Sequence, residues 1–279
     1  MSNLRILYKN AADYSTVTAS STAGTLAAGN LLTDIKSQVW RSTSTSATIT
    51  ATWTTATAIK CVVFPFTNFT NLATMRVRGY TNAADVVGVA ATVFDTTALS
   101  CCPFTSAAVF GWDSKLPNAA NFGYGGGVYA SLFFTGGSVK KIVVDLADST
   151  NSSGYIEASR LVAGTYWEPT INADYGTQIG WKDASVHVRN DAGDLLTDSK
   201  AMSKTLTINF SQASTTDREA LMGIMRNGIG TPLYISVFPD GTDKNIEQDY
   251  QIYGKLSQQS TIAIARYLQY STAVTIDEI

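Results

Sequence analysis

Ile49-Thr50-Ala51-Thr52-Trp53 decides the fold class, because Ile49, Ala51 and Trp53 fall on one side of an extended chain and the two threonines on the other. Strand side chains alternate between faces, so an apolar–polar alternation of period two marks a strand with one buried face. Threonine at the outward positions agrees, since a β-branched side chain suits a pleated surface. The alternation recurs in Met75-Arg76-Val77-Arg78 and in Leu206-Thr207-Ile208-Asn209-Phe210. Near the end of the chain, Ile262, Ile264, Arg266, Leu268 and Tyr270 are expected to share one side of a strand. Lys141-Ile142-Val143-Val144-Asp145-Leu146 is more continuous and reads as a strand covered on both faces. The expected fold class is mainly β.

One segment breaks the pattern. Thr216 and Glu219 have capping-box spacing, and Asp217 adds negative charge where a helix N-terminus favours it. Ala220, Leu221, Ile224 and Met225 share a helical face, and Asn227-Gly228 supplies a stop. The spacing predicts a helix over about 216–227, its apolar stripe resting on a sheet, and then a strand from Leu233 to Phe238.

Composition narrows the function. Of the 279 residues 15% are charged, against roughly 25% in an ordinary soluble domain. Ser, Thr, Ala and Gly fill the difference. A hydrophobic share of 45% rules out a disordered polyelectrolyte. The net charge of −2 gives no general attraction to nucleic acid or anionic membrane, so specific nucleic-acid binding is not expected. A single histidine, His187, leaves little material for zinc sites, Ser-His-Asp triads or proton relays. Cys61, Cys101 and Cys102 are odd in number and lack metal-ligand spacing, which suggests structural thiols made in a reducing cytosol. The N-terminal residues lack a signal-peptide pattern, and no apolar run approaches a membrane span.

Organisation and candidate sites follow. Charged residues become more frequent after Glu168-Pro169, and Gly164-Thr165-Tyr166-Trp167-Glu168-Pro169 carries the punctuation of a boundary. The expected division is 1–165 and 166–279, without an internal repeat. Gly123-Tyr124-Gly125-Gly126-Gly127 reads as a surface loop, because it lacks the Lys-Ser/Thr ending of a phosphate loop. Asp145, Asp148 and Glu157 offer oxygen ligands for calcium but no EF-hand spacing, and a polar turn explains Asp148 to Gly154 more simply. No acidic pair stands out for glycoside hydrolysis. His187, between Val186 and Val188, reads as a solvent-facing strand residue. Trp40, Arg41, Asn68, Phe69 and Trp112 are the candidate glycan-binding residues, since exposed aromatics stack on sugar rings. Aromatics beside polar residues, here including Phe66, also belong to ordinary core edges. No catalytic residue, cofactor or metal site is expected.

Two resemblances add to this reading. The first 165 or so residues resemble a discoidin-type, galactose-binding-like jelly roll. The likeness is carried by Asn30-Leu31-Leu32-Thr33-Asp34, Val39-Trp40-Arg41-Ser42, Ile49 to Trp53, Ile59 to Val63, Asn71 to Arg78 and Tyr155 to Leu161. That family often binds glycans through loops at one end of the sandwich. Residues 166–279 resemble the tube-forming domain of long-tailed bacteriophage tail proteins, including distal and minor tail proteins. The likeness is carried by Trp167-Glu168-Pro169, Tyr175-Gly176, Gly180-Trp181, the hairpin around Asp191 to Asp194, Leu206 to Phe210, the capped helix and Tyr250 to Leu256.

What the resemblances imply is a non-enzymatic tail-tip or baseplate component. Its second domain would form a ring, sixfold to match a tail tube, with the jelly roll projecting outward. Tail tube, tape measure and tail-tip hub proteins are the implied partners. The implied location is the virion, after assembly in the host bacterial cytoplasm. The other expectation, of a different class, is a carbohydrate-binding module that attaches the particle to host surface glycan.

Overall fold

The computed structural model describes residues 3–102, 127–241 and 244–279. Ten strands come first: β1 (Arg5–Leu7), β2 (Thr16–Ala19), β3 (Trp40–Arg41), β4 (Ser46–Thr67), β5 (Thr74–Tyr80), β6 (Phe94–Asp95), β7 (Leu99–Ser100), β8 (Val128–Ala147), β9 (Glu157–Ala158) and β10 (Val162–Gly164). β11 (Gln178–Asp183), β12 (Val186–Arg189), β13 (Leu195–Asp198) and β14 (Met202–Ala213) follow. The chain ends with α1 (Thr215–Arg226), β15 (Leu233–Ser236), α2 (Lys244–Asp249), β16 (Gln251–Leu256), β17 (Ala263–Arg266) and β18 (Gln269–Glu278). The fold class is mainly β. An N-terminal jelly-roll sandwich is joined to a second β body flanked by α1. The short helix α2 was not foreseen from the sequence.

β4 and β8 organise the jelly roll. They pair antiparallel along most of their length, with register shifts at Thr52/Thr57, Ile59/Cys61 and Phe64/Thr67. Such shifts bend a ribbon, so the two long strands contribute to both layers of the sandwich. Gly136 sits beside the second shift at φ 62°, where a side chain would run into the Ile59 carbonyl. In the first part of β4 the expected alternation holds: Ala47, Ile49, Ala51 and Trp53 are buried in the core and the threonines between them are not. Burial then becomes continuous from Cys61 to Thr67. Val62 and Phe64 face the jelly-roll core, while Cys61, Val63 and Phe66 face a separate cluster with Tyr234 and Tyr253 of the second body.

The second body is a seven-stranded antiparallel sheet in the order β1-β15-β16-β18-β14-β11, with β17 on β18. Its first strand comes from the start of the chain, because Arg5, Ile6 and Leu7 pair with Ser236, Ile235 and Tyr234. Ile6 also bridges to Trp167, where the chain returns from the jelly roll. The two sheets therefore do not follow the division at residue 165: the jelly roll lies between β1 and the rest of the second sheet. Leu206, Ile208 and Phe210 of β14 pack inward, as their alternation predicts. The 262–270 alternation is instead a hairpin. Arg266 pairs with Gln269 across Tyr267-Leu268, and Leu268 has a positive φ of 57°. No glycine or asparagine announces that turn.

The helix starts earlier than its spacing suggests. Ser214 is the N-cap and Asp217 completes the capping box, in place of Thr216 and Glu219. Asp217 also accepts from the Thr170 backbone at 3.1 Å, which ties the interdomain return to the helix. Burial pushes the Asp217 carboxyl up, but hydrogen bonds from Ser214 and Thr170 outweigh it and hold it below the ordinary carboxylate range. A lowered folded-state pKa contributes stability above the unfolded carboxylate value and loses it as pH falls through the folded value. Asp217→Asn is therefore expected to cost about 1 kcal/mol at neutral pH. The difference from the parent should vanish in acid, as read by chemical denaturation at several pH values.

A polar network fastens the two bodies together. Arg160, buried after β9, donates from Nε to the Tyr253 hydroxyl at 2.9 Å and pairs through Nη2 with Asp13 at 2.6 Å and Asp34 at 3.2 Å. Tyr253 in turn donates to Asp34 at 2.9 Å. Beside it the Tyr129 hydroxyl donates to Glu278 at 2.7 Å and accepts from the Tyr253 backbone at 3.0 Å. Burial, reinforced by Glu278, holds the Tyr129 phenol well above its usual range, so it serves as a neutral donor.

Candidate functional site

Trp40 and Phe69, two of the residues nominated for sugar stacking, are inside the jelly-roll core, at 0% and 1% exposure. The Trp40 indole donates to the Ser21 carbonyl at 3.1 Å, so both its face and its polar handle are used internally. Neither ring offers a face to solvent. Trp112 lies outside the described residues. Asn68 is a strut: its side chain donates to the Tyr155 carbonyl at 3.0 Å and accepts from the Glu157 backbone at 2.8 Å. Arg41 is half-buried, paired with Glu157 at 2.6 Å and stacked over the Tyr155 ring at 4.2 Å. The structure thus brings Arg41, Asn68, Tyr155 and Glu157 together, and leaves Trp40 and Phe69 behind them. Strand alternation is the cause, since β3 turns Trp40 inward and Arg41 outward.

The three acidic residues weighed for calcium sit apart, each with its own partners. Asp145 accepts from Arg78 and from Thr48. Asp148 is buried and accepts from the Thr70 backbone and hydroxyl, both at 2.7 Å. Glu157 is held by Arg41. The cysteines are buried and free. Burial pushes the Cys61 thiol up to about 12 and the Cys102 thiol well above its usual value, so neither supplies a thiolate nucleophile. His187 is exposed on β12, with Nδ1 2.9 Å from the Thr197 hydroxyl.

The β12–β13 ribbon that carries His187 is exposed along its whole length. Among the described residues it pairs with no other strand, and every residue of both strands is exposed. Its register places Val186 opposite Asp198 and Val188 opposite Leu196, while His187 faces Thr197 and Arg189 faces Leu195. Directly paired residues share a face, so Val186, Val188 and Leu196 lie together on one side with Asp198, which pairs with Val186 and meets Lys200 at 3.8 Å. Val186, Val188 and Leu196 are 47%, 57% and 56% exposed. The tip is pinned by Asn190 and Asp194, which exchange backbone and side-chain hydrogen bonds. A two-stranded ribbon alone in water is marginal, so this one holds its shape through a polar tip while these three side chains lie bare.

Two of the clefts among the described residues lie elsewhere. One of about 380 Å³ runs between the bodies, lined by Ser100, Ser131, Phe133, Lys244 and Glu247 among others. The other, about 500 Å³, lies under Ile171 to Thr177 against Phe238 and Tyr250. No helix among the described residues is long and apolar enough to cross a membrane.

No family model matches the chain, and no curated protein matches it. Solved structures do. A Clostridium perfringens module, CpGH89CBM32-5, in complex with GalNAc-β-1,3-galactose, is similar at 11% identity and TM-score 0.36, over 55% of this chain and 97% of that one. Chitosan-binding module 1 from a Paenibacillus chitosanase/glucanase is similar at 15% identity and TM-score 0.39, over 56% of this chain and 99% of that one. A Streptococcus pneumoniae fucose-binding module is similar at 12% identity and TM-score 0.35, over 56% and 95%.

Proposed function

We propose that this chain is a non-enzymatic structural protein that assembles through its second body, as a ring-forming component of a bacteriophage tail tip or baseplate with the jelly roll turned outward. The observation that carries the assembly is the exposure of Val186, Val188 and Leu196 side by side on one face of the ribbon, with Asp198 opposite Val186. Exposed apolar side chains on a ribbon with open edges are an aggregation hazard in a free monomer, and a neighbour that covers them removes the hazard. The chain's low share of charged residues, 15%, agrees, because a charged group costs more to bury. Placement in a phage tail rests on the sequence resemblance of residues 166–279, and the similar structures named above lend it no support. Light scattering with negative-stain imaging tests the reading. Closed rings of uniform subunit number are expected, and a monomer at all concentrations argues against it.

A second reading is glycan attachment through the jelly roll. The half-exposed group of Arg41, Tyr155 and Glu157 favours it, since it presents charged donors and acceptors beside an aromatic ring. The sugars in the names of the similar structures, GalNAc-β-1,3-galactose, chitosan and fucose, belong to those proteins and are the natural probes here. Binding of one of them that is lost in Arg41→Ala, with the thermal transition unchanged, would support this reading. No binding to any of them on a glycan array would count against it.

A further inference from the structure

A second exposed apolar element lies on the seven-stranded sheet. The β17–β18 turn exposes Ile264, Tyr267 and Leu268 at 77%, 90% and 54%. Its position relative to the β12–β13 ribbon is fixed by the register of β14. Asp183, which leads into the ribbon, pairs with Met202 at the start of β14, whereas Tyr270, which leaves the turn, pairs with Ala213 at its end. The two elements thus leave β14 at opposite ends. At about 3.3 Å per residue their points of attachment are roughly 35 Å apart along β14.

Their charges are complementary. From Asp183 to Lys200 the ribbon carries four aspartates (Asp183, Asp191, Asp194, Asp198) against one arginine and one lysine. The segment from Ser257 to Ile276 carries Arg266 as its sole charged residue, exposed beside the turn. Opposite net charge steers two surfaces together and disfavours pairing of like with like. We propose that copies of this chain bind one another through these two elements, the β12–β13 ribbon of one copy packing on the β17–β18 turn of another. The inference rests on the self-assembly reading above and adds the surface. Contact between two different patches propagates into a ring or a filament unless two copies close on each other antiparallel.

Engineered cysteines test it, because the three natural thiols are buried. Val188→Cys chains and Ile264→Cys chains are oxidised separately and as a mixture, with mass measured by light scattering on the unmodified chain. The expected result is a disulfide-linked dimer in the mixture and its absence in either sample alone. Ile264→Asp, at an exposed position that leaves the fold intact, is expected to abolish the oligomer. Rings without the mixed cross-link would overturn the surface and leave the ring reading standing. The mixed cross-link in a closed dimer would uphold the surface and overturn the ring. Cross-linking of Val188→Cys chains with each other would overturn the pairing in favour of ribbon on ribbon. A monomer with no cross-link would overturn both.

Discussion

Arg160→Met is expected to lower the stability of the chain by about 3 kcal/mol, the lower end of what breaking a buried ion pair costs. The lower end applies because the Asp13 and Asp34 side chains remain 37% and 34% exposed, so water screens part of the loss. The penalty comes from what is left behind: two carboxylates facing each other beside the Tyr253 hydroxyl with no cation between them. Burial already holds Asp13 above the ordinary carboxylate range, with Arg160 opposing that rise and Asp34 adding to it. A raised folded-state pKa favours the folded chain below the unfolded carboxylate value, and the advantage is lost as pH rises through the folded value. Removing Arg160 raises Asp13 further, so the gap between parent and variant should narrow as pH falls from 7 toward 4. A second variant separates charge from packing. Arg160 Nη1 has no hydrogen-bond partner, so the network is incomplete even in the parent. Arg160→Met combined with Asp13→Asn and Asp34→Asn is expected to recover most of the loss, since a fully neutral joint leaves no orphaned charge. Urea denaturation of the parent and both variants at two pH values reads all of this. A triple variant no more stable than Arg160→Met would show that the guanidinium acts through packing.

How legible the molecule was in its sequence depends on the range of the interaction. The alternation around Ile49 and Leu206 is set by neighbours two residues apart, and each strand has the buried face it predicts. The capped helix was visible, but its start was ambiguous because Ser214/Asp217 and Thr216/Glu219 have the same spacing. Asp217 wins through Thr170, a contact 47 residues away that no local pattern reports. β1 is three residues long and buried throughout, with Ile6 in the second-body core and Leu7 in the joint cluster, so it has no alternation to read. Arg160, Asp13, Asp34 and Tyr253 are brought together by contacts that span up to 219 residues, and their identities alone gave no hint of a joint. The ribbon around Asp191 to Asp194 was expected as a hairpin. That its valines are bare follows only from its lack of any other strand partner among the described residues.

Two of the glycan candidates, Trp40 and Phe69, are turned into the core for a related reason, and Trp40→Ala makes the consequence measurable. A tryptophan next to an arginine looks like a binding-site edge, yet in β3 the two residues point to opposite faces. Trp40 belongs to the same buried cluster as Leu31, Ile49 and Ile156 and spends its N–H on Ser21. Truncating a buried aromatic to alanine costs about 3–5 kcal/mol, combining lost burial with the cavity it leaves. For a body of this size that is a drop in Tm on the order of 10 °C. Trp40→Phe keeps most of the apolar volume and gives up the hydrogen bond, so its cost should be smaller, about 1–2 kcal/mol. The order parent, Phe, Ala in calorimetry is the signature of a core position. A residue that stacked on sugar from the surface would behave the other way, with Tm unchanged in the alanine variant and sugar affinity lost. If Trp40→Ala unfolds at the parent temperature, the indole is not packed as described, and the jelly-roll end around Arg41 must open enough to expose it.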